Sequence, residues 1–190
     1  MLNYTDLRKG TVFVLDGQPY QVMEYAFLRM QQRKPVAKTE IKNLMTGKIV
    51  ERNFQGSDEF LEAELIRKPV KYIYNSRGEF WFTEVSDPSK RSSLKEDVVG
   101  AQGQFLKPNT EVAIVSFEDQ TIGVEVPIKV DLAVKSTPPG ERGNTAQSGT
   151  KTATLETGVD VQVPLFVNDS DVIRINTELG TYVERVEKAK

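Results

Sequence analysis

From Thr11 onward the chain is a succession of short alternating segments separated by turn-favouring residues, and only two brief stretches read as helix. TVFVL (11–15) runs into the Asp16-Gly17 pair, QPYQVMEYAFL (18–28) into a polar tip, and VAKTEIKNL (36–44) into MTGK and then IVERNF (49–54). A period of two between turn signals predicts strands. Tyr20 and Val22 fall on one face of the second run, with Glu24 as a third candidate. Four or five strands in meander order bury a core without bare edges if they close, or half close, into a small barrel. The stretch from about Tyr25 to Ile41 is longer than such a barrel needs, so its tip is expected to project. GSDEFLEAEL (56–65) reads as a short helical turn that closes the barrel. Ser57 is its N-cap, and Asp58 and Glu59 suit the positive end of the helix dipole. The carboxylates Asp58, Glu59, Glu62 and Glu64 read as a solvated helix face in preference to a catalytic pair.

The pattern continues through the rest of the chain. VKYIY (70–74) and EFWFTE (79–84) flank an Asn75-Ser76-Arg77-Gly78 turn and predict a hairpin. Its aromatics Tyr72, Tyr74, Phe80, Trp81 and Phe82 fit a core, with base stacking as the alternative. SDPSKRSSLKEDVVG (86–100) is expected to hold a short helix before strands resume at 110–119, 121–126 and 128–134. Five strands interrupted by one helix resemble an OB-fold. Residues 136–158, poor in apolar residues and rich in Gly, Ser, Thr and Pro, read as a long ordered loop or as a linker joined to a loop. VDVQVPLFV (159–167), DVIRINTELG (171–180) and TYVERV (181–186) then make a third β unit.

Composition narrows the chemistry. With 38% hydrophobic and 27% charged residues in 190, the core is expected to be divided among small, surface-rich units. There is no cysteine and no histidine. Disulfides, thiolate and imidazole metal sites, and triads needing a His base are therefore excluded. MLNYTDLRKG carries no apolar signal core, and no apolar run nears the ~20 residues of a spanning helix. A cytoplasmic protein without membrane association is expected. Gly100-Ala101-Gln102-Gly103 is too short for a dinucleotide fingerprint, and no phosphate-cradling loop or nucleophile with an adjacent base appears. The chain reads as a binding protein, not an enzyme, with no catalytic residue, cofactor or metal.

Charge is unevenly spread. Residues 1–57 hold nine Lys/Arg against five Asp/Glu, whereas residues 131–190 hold seven against nine. The projecting tip contributes Arg29, Gln31, Gln32, Arg33 and Lys34, and the following strand adds Lys38 and Lys42. Cations meet phosphates, and glutamine amides meet sugar or base edges. A basic tip on a rigid β scaffold suits RNA better than a small molecule.

Several blocks together resemble the bacterial elongation factor P family over nearly the full length: LRKGTVFVLDGQPYQVMEY (7–25), KNLMTGKIVERNF (42–54), YIYNSRGEFWF (72–82, with its last residues in the second hairpin strand), GNTAQSGTKTATLETG (143–158) and residues 159–186. Most specific is the run from Lys151 through Gly158 and Val163-Pro164 to Ser170, where the family usually has glycine. The resemblance implies an all-β chain of three small β-barrels: an SH3-like, KOW-type domain (1–65) and two OB-folds (66–128 and 129–190), in an L-shaped, tRNA-like arrangement. It also implies a monomer that binds the 70S ribosome between the P and E sites beside peptidyl-tRNA. There it stimulates peptide-bond formation and relieves stalling at consecutive prolines. An elongation factor P-like paralogue, or a general OB-fold protein for single-stranded nucleic acid, are the alternatives.

By the same resemblance Gln32 stands at the position of the family's modified lysine or arginine, as ungapped counts from Asp16-Gly17 and from Lys42-Asn43-Leu44 agree. Glutamine has neither amine nor guanidinium for a modifying enzyme to extend. Gln32 is therefore expected to work unmodified, the other reading being a shifted loop that puts Arg33 or Lys34 at the tip. Gly143, Asn144 and Thr145 match the family loop that nears the exit-site mRNA codon. Tyr182 and Arg185 match terminal-strand residues used against the ribosome, with a barrel role as the rival for Tyr182. Arg8 and Lys9 are candidate tRNA-backbone contacts by charge and position.

Overall fold

A computed structural model of the chain describes residues 1–28, 35–139 and 149–189. The secondary structure is nearly all strand, with sixteen strands and one four-residue α-helix among the described residues. The chain divides into two compact units, Met1–Arg67 with Val115–Gly123, and Lys68–Ile114 with Val124–Lys190.

The first sheet contains β1 (Leu2–Asn3), β2 (Val12–Leu15), β3 (Gln18–Leu28), β4 (Val36–Asn43), β5 (Ile49–Gln55) and β6 (Glu59–Glu62). Their order is β1-β6-β2-β3-β4-β5. The β2–β3 turn puts Asp16 at φ 51° and Gly17 at φ 74°, the two successive positive values that a tight hairpin turn requires. At the β4–β5 turn the Asn43 side-chain oxygen accepts the N–H groups of Met45 and Thr46, both at 2.9 Å. The core is built from Leu7, Phe13, Val22, Ala37, Ile41, Phe54 and Phe60. The Phe13 ring meets those of Phe54 and Phe60 edge to face at 5.9 and 5.0 Å, an arrangement that suits their quadrupoles.

Two expectations for this sheet need correction. The helical turn expected at 56–65 is instead strand β6, paired antiparallel to β1 through Leu2↔Phe60 and to β2 through Val14↔Leu61. Phe60 is 8% exposed and the adjacent Leu61 59%, a period of two that places one residue in the core and the next in solvent. The Asp58 carboxylate accepts the Gln55 N–H at 2.8 Å and stabilises a turn, so the cap-like residues before the strand cap no helix. The second correction concerns Glu24. The β3–β4 register passes from Val22↔Ile41 to Glu24↔Glu40, leaving Met23 as the extra residue of a bulge. Beyond it Glu24 is exposed and Tyr25 packs against the core, which reverses the alternation read from Tyr20 and Val22.

The middle sheet is ordered β11-β10-β7-β8-β9. Its strands are β7 (Ile66–Ser76), β8 (Glu79–Glu84), β9 (Arg91–Lys95), β10 (Glu111–Phe117) and β11 (Gln120–Glu125). Between β9 and β10 lie α1 (Glu96–Val99) and a 3-10 turn (Ala101–Phe105). The expected short helix in 86–100 is present, but the same stretch also supplies β9. Val70, Tyr72, Phe80, Phe82, Val99, Leu106, Val112, Ile114 and Val126 form the core here.

The third sheet runs β14-β13-β12-β15-β16. It is built from β12 (Lys129–Ser136), β13 (Thr150–Leu155), β14 (Asp160–Pro164), β15 (Val172–Asn176) and β16 (Thr181–Glu187). The loop or linker expected over 136–158 is corrected by β13, in which Lys151, Ala153 and Leu155 alternate inward with threonines, a period of two that the polar composition hides. Its core joins Val130, Leu132, Val134, Ala153, Leu155, Val161, Val163, Val167, Ile173 and Ile175 to Phe105 from the 3-10 turn. The all-β reading describes this architecture, which has three sheets with an apolar core on each.

Candidate nucleic-acid interface

In the first sheet, Leu7 is fully buried and anchors a turn that leaves Arg8 and Lys9 in solvent. The turn is held by the Arg8 N–H donating to Asp6 O at 2.7 Å, Thr11 N–H to Arg8 O at 3.0 Å, and Gly10 N–H to Val22 O at 2.8 Å. Gly10 lies at φ 93°, a region that L side chains rarely adopt. Arg8 and Lys9 share an open groove of about 730 Å³ with Thr5, Glu24, Tyr25 and Phe27. Phe27 is 45% exposed, and its ring lies 6.2 Å from that of Tyr4. Two cations beside accessible aromatic surface can hold phosphate and pack against a sugar or base. Glu24 lines the same groove, and its negative charge repels phosphate.

The groove includes residues that sequence reasoning missed as site residues: Thr5, Tyr25 and Phe27. The bulge at Met23 is what changes the facing of the last two, and nothing in the alternation of QPYQVMEYAFL marks it. The β3–β4 ladder continues to Leu28↔Val36, and β5 still accompanies β4 there through Val36↔Gln55. Arg29, Gln31, Gln32, Arg33 and Lys34 lie outside the described residues, as do Gly143, Asn144 and Thr145. Among the described residues no cluster of acidic side chains is arranged to hold a metal ion.

Tyr182 is half-buried against the third core, and burial pushes its phenol up from the usual value. Arg185 donates to Phe166 O and to Asp171 Oδ2, both at 3.2 Å, and its guanidinium sits 5.0 Å from the Phe166 ring centroid. Asp171 is fully buried. Burial pushes its carboxyl up, but the N–H groups of Ala189 and Asn168 and the Arg185 guanidinium together hold it below the usual carboxylate range. Arg185, expected by resemblance to serve against the ribosome, thus has partners within the fold.

The run from Lys151 to Ser170 also has a local physical basis. Lys151 is 8% exposed, and its ammonium donates to Pro138 O at 2.8 Å. Gly158, at φ 86°, turns β13 into β14, with its N–H on Leu155 O at 2.8 Å. Val163 is fully buried opposite Lys151. Ser170 stands at φ 67°, the conformation that glycine adopts at least cost.

Comparison with known proteins gives a consistent pattern. Residues 3–60 match the family model described as the elongation factor P (EF-P) KOW-like domain, and residues 130–185 the one described as elongation factor P, C-terminal. Elongation factor P of Carboxydothermus hydrogenoformans is 38% identical over 186 residues, covering 98% of this chain and all (100%) of the relative. That of Brachyspira hyodysenteriae is 38% identical over 188 residues, 99% of this chain and 100% of the relative. That of Acetivibrio thermocellus is 37% identical over 186 residues, 98% of this chain and 100% of the relative. Among solved structures, eukaryotic translation initiation factor 5A from Methanococcus jannaschii aligns with a TM-score of 0.48 at 12% identity, covering 66% of this chain and 92% of that chain.

Proposed function

The chain belongs to the elongation factor P family and is a translation elongation factor, and on that premise we propose that it binds the ribosome between the P and E sites and contacts peptidyl-tRNA. Bound there, it stimulates peptide-bond formation and relieves stalling at consecutive prolines. The observation that supports this reading best is the groove with Arg8 and Lys9, on the sheet whose β3 and β4 remain paired up to the residues flanking 29–34. Arg8 and Lys9 take tRNA phosphates, while Arg29, Gln31, Gln32, Arg33 and Lys34 act at the acceptor end. Gln32 works there through its unmodified amide. Gly143, Asn144 and Thr145 face the exit-site codon, and Tyr182 and Arg185 support the third unit against the ribosome.

In this role the chain does no covalent chemistry. It holds the tRNA in a reactive geometry, and positioning alone can lower a barrier by roughly 7 kcal/mol or more when it is near ideal. The chain acts as a monomer in the cytoplasm. Translation of a triproline reporter in an extract depleted of this protein tests the proposal. Stalling is expected on depletion, rescue on adding the wild-type chain back, and weaker rescue by Gln32→Ala. Unimpaired triproline synthesis in the depleted extract would sink the reading. The intact mass of protein from its own host tests the unmodified tip, since added mass on Arg33 or Lys34 contradicts it.

A further inference from the structure

The aromatics of the β7–β8 hairpin are sorted to opposite faces of the middle sheet. Tyr72, Phe80 and Phe82 are buried in its core. A bulge at Ile73 moves the register from Tyr72↔Phe82 to Tyr74↔Trp81. Tyr74 and Trp81 therefore lie together on the outer face, stacked with their planes 20° apart and centroids 6.0 Å apart. Tyr74 remains 42% exposed. Stacking two rings in the open brings less stabilisation than burying them, so the fold alone gives little reason for the pair.

The neighbours carry more positive than negative charge: Arg91 and Lys95 on β9 outnumber Glu79, the acidic residue of β8 on the same face. Trp81 stands opposite Ser93 on β9, whose small side chain crowds neither ring, and β9 places Arg91 opposite Thr83 and Lys95 opposite Glu79. Since strand side chains alternate, Arg91, Ser93 and Lys95 share the face of Trp81 and Thr83. Arg91 and Lys95 are exposed, and neither forms an ion pair among the described residues. Lys71, on the same face, is instead paired with Glu111 at 3.6 Å. Stacked aromatics between two free cations match the chemistry of an unpaired RNA segment, in which bases offer π faces and the backbone offers phosphates. A purely apolar partner would leave both cations to be desolvated without compensation.

We propose that the outer face of the middle sheet is an RNA-binding site, separate from the groove at Arg8 and Lys9, that stacks an unpaired base on Tyr74 and Trp81 while Arg91 and Lys95 hold the flanking phosphates. Trp81 is the only tryptophan of the chain, so its fluorescence reports on this face alone. Titrating the full-length protein with a single-stranded oligoadenylate of about eight residues is expected to quench that fluorescence saturably. Added salt should weaken the effect as two phosphate contacts require, and a duplex of the same length should not produce it. Tyr74→Ala should lower the affinity about tenfold, the loss of one base-aromatic stack. Arg91→Glu with Lys95→Glu keeps both rings and should abolish quenching at moderate salt. Absence of quenching by the oligoadenylate, or equal affinity in either variant with unchanged circular dichroism, overturns the proposal. Quenching by RNA-free ribosomal protein, but not by the oligoadenylate, also overturns it in favour of a protein partner.

Discussion

Arg185 donates to the carboxylate of Asp171 at 3.2 Å, and that carboxylate is wholly shielded from solvent while the guanidinium is not. The same carboxylate accepts the Ala189 N–H at 2.7 Å and the Asn168 N–H at 2.9 Å, so it ties the chain's last described residue to the turn before β15. Removing the guanidinium leaves a buried charge with two of its three donors. Arg185→Ala is therefore expected to destabilise the protein by about 1–3 kcal/mol, measured by urea unfolding. A triproline defect in that variant with unchanged stability would instead assign Arg185 to the ribosome alone.

Asp171 and Asp131 should give the third sheet an acid-sensitive stability. Asp131 is held below the usual carboxylate range first by its bond to the Arg174 guanidinium, at 2.7 Å, and Asp171 by the donors just named outweighing its burial. Both carboxyls lose protons more readily in the folded than in the unfolded chain, whose carboxyls titrate near ~3.9. Their contribution is thus fully present above that value and lost as pH falls through the lower folded values. Melting temperature should be level near neutrality and fall steeply in acid, and Asp131→Asn should flatten that fall.

Ser170→Gly is expected to stabilise the chain. A left-handed conformation costs a residue with a Cβ roughly 1–2 kcal/mol, against about 0.5–1 kcal/mol of added chain entropy for glycine in the unfolded state. A net gain of about 0.5 kcal/mol should appear as a small rise in the urea midpoint with an unchanged slope.

The parts of this molecule that follow from short-range rules were legible in its sequence. Asp16-Gly17 and the alternation of 11–15 and 49–54 specify their hairpins within a few residues, and β2, β3 and β5 are where those rules put them. Features that depend on distant partners were not. Residues 56–65 have the caps and acids of a helix start, yet Phe60 is drawn into a sheet core made by residues 7–54, and tertiary packing overrides the local preference. The bulges at Met23 and Ile73 re-aim Tyr25 and Tyr74 without changing composition or spacing. For the candidate site, charge pointed to Arg8 and Lys9 but gave no sign of the aromatic wall beside them. Resemblance pointed Arg185 toward the ribosome but gave no sign of its partner Asp171, fourteen positions away and beyond the reach of local rules.

Gly103 lies where a methyl group has no room. A Cβ there would come within 2.7 Å of Val99 Cγ1 and 3.0 Å of two Phe80 ring atoms. Gly103→Ala should therefore cost about 1–3 kcal/mol through overpacking, seen as a lower melting temperature, although its backbone conformation is open to alanine.

Asn43 is 4% exposed, and its side chain both closes the β4–β5 turn and donates to Gln18 Oε1 at 2.6 Å. Asn43→Ala strips two N–H groups of their acceptor and is expected to cost about 2 kcal/mol. Hydrogen exchange at Met45 and Thr46 should accelerate in the variant well beyond the change at β2.

Phe105 is 2% exposed, and its side chain fills the core of the third sheet although the turn that carries it follows α1 of the middle one. The two sheets are therefore expected not to separate as independent modules. An excised segment beginning at residue 129 would carry a hole the size of a phenyl ring, a defect of about 3–5 kcal/mol that a small domain with marginal stability would struggle to survive. Any chimera joined at that boundary would have to carry the ring together with the cavity that receives it.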